Sequence, residues 1–204
     1  MPESGLSPTR SAFLELKEER QLVREGFEFL DEKRVILAQE MLRRLDAWRD
    51  ACARYDAMHE TAAAALARAL GRHGLDGLGI YPVLRLEAAS VALREHRFLG
   101  VNLLDGAFDA GRDDKFASPP AVNPSPEAER CREAFSALVS LAFEMAVMRA
   151  SLERLVAEYI RTERRARALE NVLLPEIEGS LRFMDEQLEA MDQEEAIRVR
   201  NAAR

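Results

Sequence analysis

Apolar residues in the first third of the chain recur in steps of three and four, at positions 23, 27 and 30, then 37, 41, 45, 48, 52 and 55. This spacing keeps them on one face of an α-helix. Arg34 falls on the same face and interrupts the stripe. Consecutive steps of four at 37, 41 and 45 resemble a stutter, which locally unwinds a supercoil and straightens a helix pair. The predicted element runs from about Pro8 to Arg72, with Ser7 as N-cap and Pro8 at the first helical position. Gly71, Gly74, Gly77 and Gly79 then form a cluster expected to stop it.

A second stripe occupies 138, 142, 145, 148, 152, 155, 159, 162, 166, 169, 173, 177, 181, 184, 188 and 191. It predicts a helix over 127–200, opened by Ser125-Pro126-Glu127. Pro175 lies inside it. A proline there removes one backbone hydrogen bond and crowds the preceding turn, so a bend is expected. Across this proline the stripe steps by four three times running, at 169, 173, 177 and 181.

Between the helices, residues 73–126 hold Pro82, Pro119, Pro120, Pro124 and Pro126 and most of the glycines. The apolar runs here are short. A β-hairpin with arms near Val83–Leu86 and Phe98–Leu103, and a short helix over Glu87–Glu95, are both compatible with them. The stretch from Asp109 to Pro126 reads as an exposed linker. Each long helix has a single apolar stripe and a charged remainder, so each needs the other to bury it. The expected fold is all-α: a long antiparallel two-helix coiled coil from the segments 8–72 and 127–200, with a tip region and linker over 73–126. At 1.5 Å per residue each helix would span about 100 Å. A fold about residue 99 brings the two chain ends together and sets Cys52 opposite about residue 147, too far from Cys131 for a disulfide.

Composition agrees with long helices: charged residues are 32%, aromatics 6%, and Ala, Leu, Glu and Arg dominate. A net charge of -7 argues against nucleic acid as a partner. Two cysteines fit a reducing compartment, and the first residues lack the apolar core of a secretory signal. The most apolar run, Phe135–Met148, contains Glu144 and falls short of the ~20 residues of a membrane span. Candidate chemistry is sparse. His59-Glu60 begins like a zinc-protease helix, but Ala63 stands where the second histidine is required. The glycine cluster lacks the Lys-Ser/Thr of a phosphate loop, and no Gly-x-Ser-x-Gly elbow occurs. Acid pairs such as Glu18-Glu19 read as solvated helix charge. No catalytic residue, cofactor or metal site is expected. The basic run Arg161, Arg164, Arg165 and Arg167 either contacts nucleic acid or an acidic protein surface, or is a wet coiled-coil face balanced by Glu158, Glu163 and Glu170. On these residues alone, a coiled-coil scaffold or a membrane-associated homodimer also remains open.

Three stretches resemble the D subunit of V-type (vacuolar and archaeal-type) rotary ATPases. The first carries Pro8-Thr9-Arg10, Leu14, Leu16-Lys17, Gly26, Leu30 and Lys33-Arg34; the last carries Arg164-Arg165, Ala168-Leu169-Glu170, Pro175, Ile177-Glu178 and Leu181-Arg182-Phe183-Met184. Between them, Arg97-Phe98-Leu99-Gly100-Val101 is similar to the family's tip motif. The resemblance implies a non-catalytic central rotor shaft that couples ATP hydrolysis or synthesis to proton or sodium transport. It implies partners in the A and B subunits of the catalytic hexamer, in the small F subunit, and in the membrane-side socket subunit of C/d type. It implies a cytoplasmic location, peripheral to the membrane through the complex, without insertion of this chain. By position, Arg10, Lys17, Arg198 and Arg200 are expected near the hexamer. Arg164, Arg165 and Arg167 are candidates for contact with the F-type partner or the hexamer's lower rim.

Overall fold

The computed structural model describes residues 9–81, 89–109, 121 and 123–203. Helix α1 (Arg10–Gly79) is followed by strands β1 (Ser90–Phe98) and β2 (Val101–Asp109), then by helices α2 (Pro126–Ala168) and α3 (Leu174–Ala202). A π-helical turn over Leu169–Leu173 joins the last two. The fold is the predicted one: long antiparallel helices with a small β-hairpin. The chain forms two compact units, one built on residues up to Leu37 and from Tyr159 onward, the other on Ala38–Glu158.

In the first unit α1 starts at Arg10; the expected start at Ser7-Pro8 lies outside the described residues. Thr9 is the cap: its Oγ1 accepts the Ala12 N–H at 3.2 Å and its carbonyl accepts the Phe13 N–H at 3.0 Å. Those bonds satisfy donors that a helix start leaves unpaired. The core is Leu16 against Ile177, Leu181 and Met184, with Ala12, Phe13, Val23 and Leu173 packed around it. Full burial of each large side chain is worth about 1.5–3 kcal/mol, so this cluster outweighs the surface charges beside it. The pairing is antiparallel, with Arg10 beside Asp192 and Arg34 beside Glu163. Both pairs fit a chain folded about residue 99. Of the predicted stripe, Thr162, Ala166, Ile177, Leu181 and Met184 are buried in this unit and Leu138 and Leu155 in the second, but Met191 and Ala142 are exposed. Leu141 takes the core place expected of Ala142, three residues after Leu138.

At Pro175 the departure from α geometry is the π turn just ahead of it. The Leu174 N–H bonds to the Leu169 carbonyl, five residues back, and Pro175 then falls in the first turn of α3. Three successive steps of four carry an apolar stripe about 40° too far at each step on a 3.6-residue helix. One wider turn takes up an extra residue and returns the stripe to the core, and it opens the ladder where proline has no N–H to give.

In the second unit, α1 does not stop at its glycines. It breaks at Gly74 alone (φ 68°, ψ 174°) and resumes to Gly79. The expected end at Arg72 is thus a kink. Each helical glycine costs about 1 kcal/mol against alanine; Leu78, carried back by the resumed turn, packs on the buried cluster of Ala65, Ala69 and Cys131 and offsets part of that. Helix α2 begins where predicted, with the buried Ser125 as cap: its Oγ accepts the Ala128 N–H at 3.1 Å. Cys52 and Cys131 are both free thiols, and burial pushes Cys131 above the usual thiol range.

The middle segment is a two-stranded antiparallel sheet in continuous register from Ser90↔Asp109 to Phe98↔Val101. Ser90–Glu95 is therefore strand, and the helix alternative over Glu87–Glu95 is wrong. The Val83–Leu86 arm lies outside the described residues, and the Phe98–Leu103 arm straddles the turn. Leu99 and Gly100 both have positive φ (48° and 86°), as a two-residue hairpin turn of type I′ requires. Leucine is a poor residue for that place, so local turn chemistry does not mark the turn; the resemblance at Arg97–Val101 does.

Candidate partner-binding surface

The hairpin lies along α2. Phe108 meets the Phe143 ring at 5.6 Å between centroids, and Gly106 sits against Val147 and Phe143. Ser151, fully buried, donates to the Leu104 carbonyl at 3.0 Å and accepts the Leu104 N–H at 2.9 Å. Arg154 Nη1 donates to the Asn102 carbonyl at 2.8 Å. A strand edge that would otherwise present bare backbone is thereby closed by one hydroxyl and one guanidinium. The stretch Pro126–Ala202 holds one 18-residue window whose mean hydropathy of 1.4 would suit a membrane span by composition alone. Leu138, Leu141 and Leu155 of α2 are buried within this unit, so part of that apolar character goes to packing on protein.

Ion pairs cross between helices in the first unit. Arg34, the residue that breaks the first stripe, reaches Glu163 at 2.7 Å and Asp31 at 2.5 Å. Arg167 holds the other oxygen of Glu163 at 2.7 Å. Hydrogen bonds from Arg34 and then Arg167 hold the Glu163 carboxyl below the usual carboxylate range, against the opposing effect of burial. Intrusion of Arg34 into the apolar face is thus matched by an acid on the facing helix.

The seven predicted contact residues are scattered. Arg10 makes a bidentate pair with Asp192 (2.9 and 3.1 Å), and both are exposed. Lys17 Nζ lies 4.4 Å from the Phe13 ring centroid. Arg198 pairs loosely with Glu194 at 3.5 Å, and Arg200 is exposed near the end of α3. The basic run divides. Arg167 is tied to Glu163, whereas Arg164 and Arg165 are exposed and have no ion-pair partner among the described residues. Exposed large apolar residues share this unit: Leu14, Leu22 and Phe29 on α1, Phe183, Ile197 and Val199 on α3. Sequence reasoning assigned none of them a contact because they fall off the stripe, although Leu14 and Phe183 lie in the stretches that carry the resemblance. Their signal is large side chains at positions with no core to join.

At the start of α2, His73 Nε2 and Ser125 Oγ share a hydrogen bond of 2.5 Å, and Tyr81 tilts against the imidazole. A cavity of about 190 Å³ beside them is lined by Arg72, His73, Gly77, Ile80, Tyr81 and Asn123. Ligand pockets run to about 300–1,000 Å³, so this one is small for a substrate. Among the described residues no three His, Cys, Asp or Glu side chains are grouped to hold a metal ion.

Comparison with known proteins gives these surfaces a context. A family model for the D subunit of ATP synthase matches residues 12–204. The chain belongs to the ATP synthase D-subunit family. It is 25% identical over 198 residues to the D subunit of the A-type ATP synthase of Methanoregula boonei, covering 96% of this chain and 94% of that one. It is 26% identical over 197 residues to the D subunit of the A-type ATP synthase of Thermococcus gammatolerans (96% and 92%). It is also 26% identical over 194 residues to the V-type ATP synthase D subunit 2 of Treponema pallidum (93% and 90%). The matches run the length of the chain, through both helices and the hairpin that joins them.

Proposed function

We propose that this chain is the non-catalytic central-stalk subunit of an A/V-type rotary ATPase, the rotor shaft that couples ATP hydrolysis or synthesis in an A/B hexamer to proton or sodium transport. The match to the ATP synthase D-subunit family over residues 12–204 carries the reading. The antiparallel unit that joins Arg10 to Asp192 supports it, since a shaft needs both strands of the coil to transmit torque. A shaft must also be asymmetric, so that its orientation favours one of three otherwise equivalent sites. The π turn over Leu169–Leu173 and Pro175 occur on one helix of the pair and have no counterpart in the facing stretch of α1, which supplies that asymmetry.

In this reading Arg10, Lys17, Arg198 and Arg200 lie near the hexamer, with the exposed apolar side chains of the same unit. Arg164 and Arg165 contact the F-type subunit or the lower rim of the hexamer, with Arg167 held to Glu163 behind them. The tip region faces the socket subunit of C/d type. The chain is cytoplasmic and peripheral, held at the membrane by the complex. The test is reconstitution with the A, B and F-type subunits of the same organism. The chain enters the complex once per hexamer, and Arg164→Glu with Arg165→Glu lowers coupled ATPase activity without loss of helical content by circular dichroism. Failure of the wild-type chain to assemble refutes the role; unchanged coupling in the double variant refutes the assignment of the two arginines.

A further inference from the structure

The two edges of the hairpin are treated differently. In an antiparallel ladder, residues alternate between pairs that exchange backbone bonds and pairs whose N–H and C=O point outward. Leu104 directs both groups to Ser151, away from β1, so Leu104 and its partner Glu95 form an outward pair. The register then assigns Arg97↔Asn102, Leu93↔Gly106 and Val91↔Phe108 to the same class. The Arg154 bond to the Asn102 carbonyl agrees. On β2 this outward row meets α2. On β1 the outward row belongs to Val91, Leu93, Glu95 and Arg97, all exposed.

Proteins that leave a strand edge open usually protect it with charged side chains, a proline, a bulge or a very short strand. Strand β1 carries charge at Arg94, Glu95 and Arg97 but none of the backbone devices: nine residues, unbroken register, no proline, and exposed apolar side chains at Val91 and Leu93. Its charge points to what would pair with it. The hairpin's acids are engaged, Asp105 with His96 at 2.9 Å and Glu95 with Arg154 at 3.7 Å. Arg94 stands opposite Asp105 in the ladder but makes no ion pair among the described residues, and Arg97 bonds only the neutral side chain of Asn102, at 3.3 Å. By strand alternation the two arginines stand on opposite faces.

We propose that the outer edge of β1 is a docking surface that takes an extended segment of another subunit as a third strand, with acidic side chains on that segment flanking Arg94 and Arg97. Backbone pairing along the edge supplies affinity and the two arginines supply selectivity. The proposal rests on the rotor-subunit reading for the source of its partner.

Residue-resolved hydrogen exchange tests it on the full chain, free and reconstituted with the A, B and F-type subunits and the socket subunit of C/d type, with assembly followed separately by gel filtration. In the free chain the amides of Val91, Leu93, Glu95 and Arg97 exchange quickly, while those of Ala92, Arg94 and His96 are protected by the hairpin. In the complex the first set slows by about 100-fold or more, the protection expected of a stable ladder bond. Val91→Pro, which removes an outward donor and no ladder bond, reverses that slowing with Ala92, Arg94 and His96 still protected. Arg94→Glu with Arg97→Glu weakens association in the same assay. If the complex forms and the outward amides keep their free rates, the docking surface is refuted and the rotor role stands. If no complex forms, both readings fall. If the outward amides slow in the isolated chain as its concentration rises, β1 pairs with a second copy of itself, and the acidic partner is refuted.

Discussion

Gly106 is where the hairpin and α2 come closest, and replacing it with alanine measures how firmly they are joined. A Cβ built there would stand 2.8 Å from Val147 Cγ2 and 3.1 Å from both Phe143 Cε1 and Leu93 Cδ2. Carbon atoms in good contact sit about 3.5–4.0 Å apart, so all three neighbours must give way. Val147 is branched at Cβ and has little rotamer freedom on a helix. Phe143 also packs against Phe108, 5.6 Å between ring centroids. Overpacking of this kind costs about 1–3 kcal/mol. Against it stands a gain of about 0.4–1 kcal/mol, because alanine restricts the unfolded chain more than glycine does. The net expectation is about 1–2 kcal/mol lost from hairpin docking. Hydrogen exchange of the Ala92, Arg94 and His96 amides reads this as roughly 5- to 30-fold faster opening. Adding Val147→Ala removes the closest clash, so the double variant should recover part of the loss and lie below the sum of the two single effects. Unchanged exchange in Gly106→Ala, or strict additivity with Val147→Ala, would refute the packing of the hairpin on α2 at this point.

Two further outcomes follow from backbone and charge. Leu99 occupies a left-handed conformation that costs a branched or bulky residue about 1–2 kcal/mol, so Leu99→Asn should stabilise the hairpin by about 1 kcal/mol and slow exchange of the same inward amides. Glu40 is gripped by Arg43 and Arg44 at 2.6–2.8 Å, and these hydrogen bonds, Arg43 first, lower its carboxyl to about 2. A folded pKa below the unfolded value of 4.5 gives stability that is complete above pH 4.5 and lost as the pH falls from there towards 2. Urea midpoints measured across that window should drop less in Glu40→Gln than in the wild-type chain, and an equal drop in both would remove Glu40 from the acid response.

The sequence by itself determined the helices, their antiparallel pairing and the family. An apolar stripe at steps of three and four admits one face and one period, and two such stripes of similar length can bury themselves only on each other. The start of α2 was legible too, because Ser125 caps through its own side chain within one turn; at α1 the cap is Thr9, two residues after the expected Ser7. The candidate contact residues Arg164 and Arg165 stood out as a run of charge, but their freedom from acidic partners, against the capture of Arg167 by Glu163, depended on which side chains face across the coil. Tertiary structure decided the remainder. It continued α1 beyond the glycines, since Leu78 had a buried cluster to join. It turned the tension between stripe and proline at 169–181 into a π turn. It placed the hairpin turn at Leu99-Gly100, where leucine gives no local signal, because β2 had Phe143, Val147, Ser151 and Arg154 to lie against. Local propensity is worth about 1 kcal/mol per residue, and packing against a partner distant in sequence exceeds that wherever the two disagree.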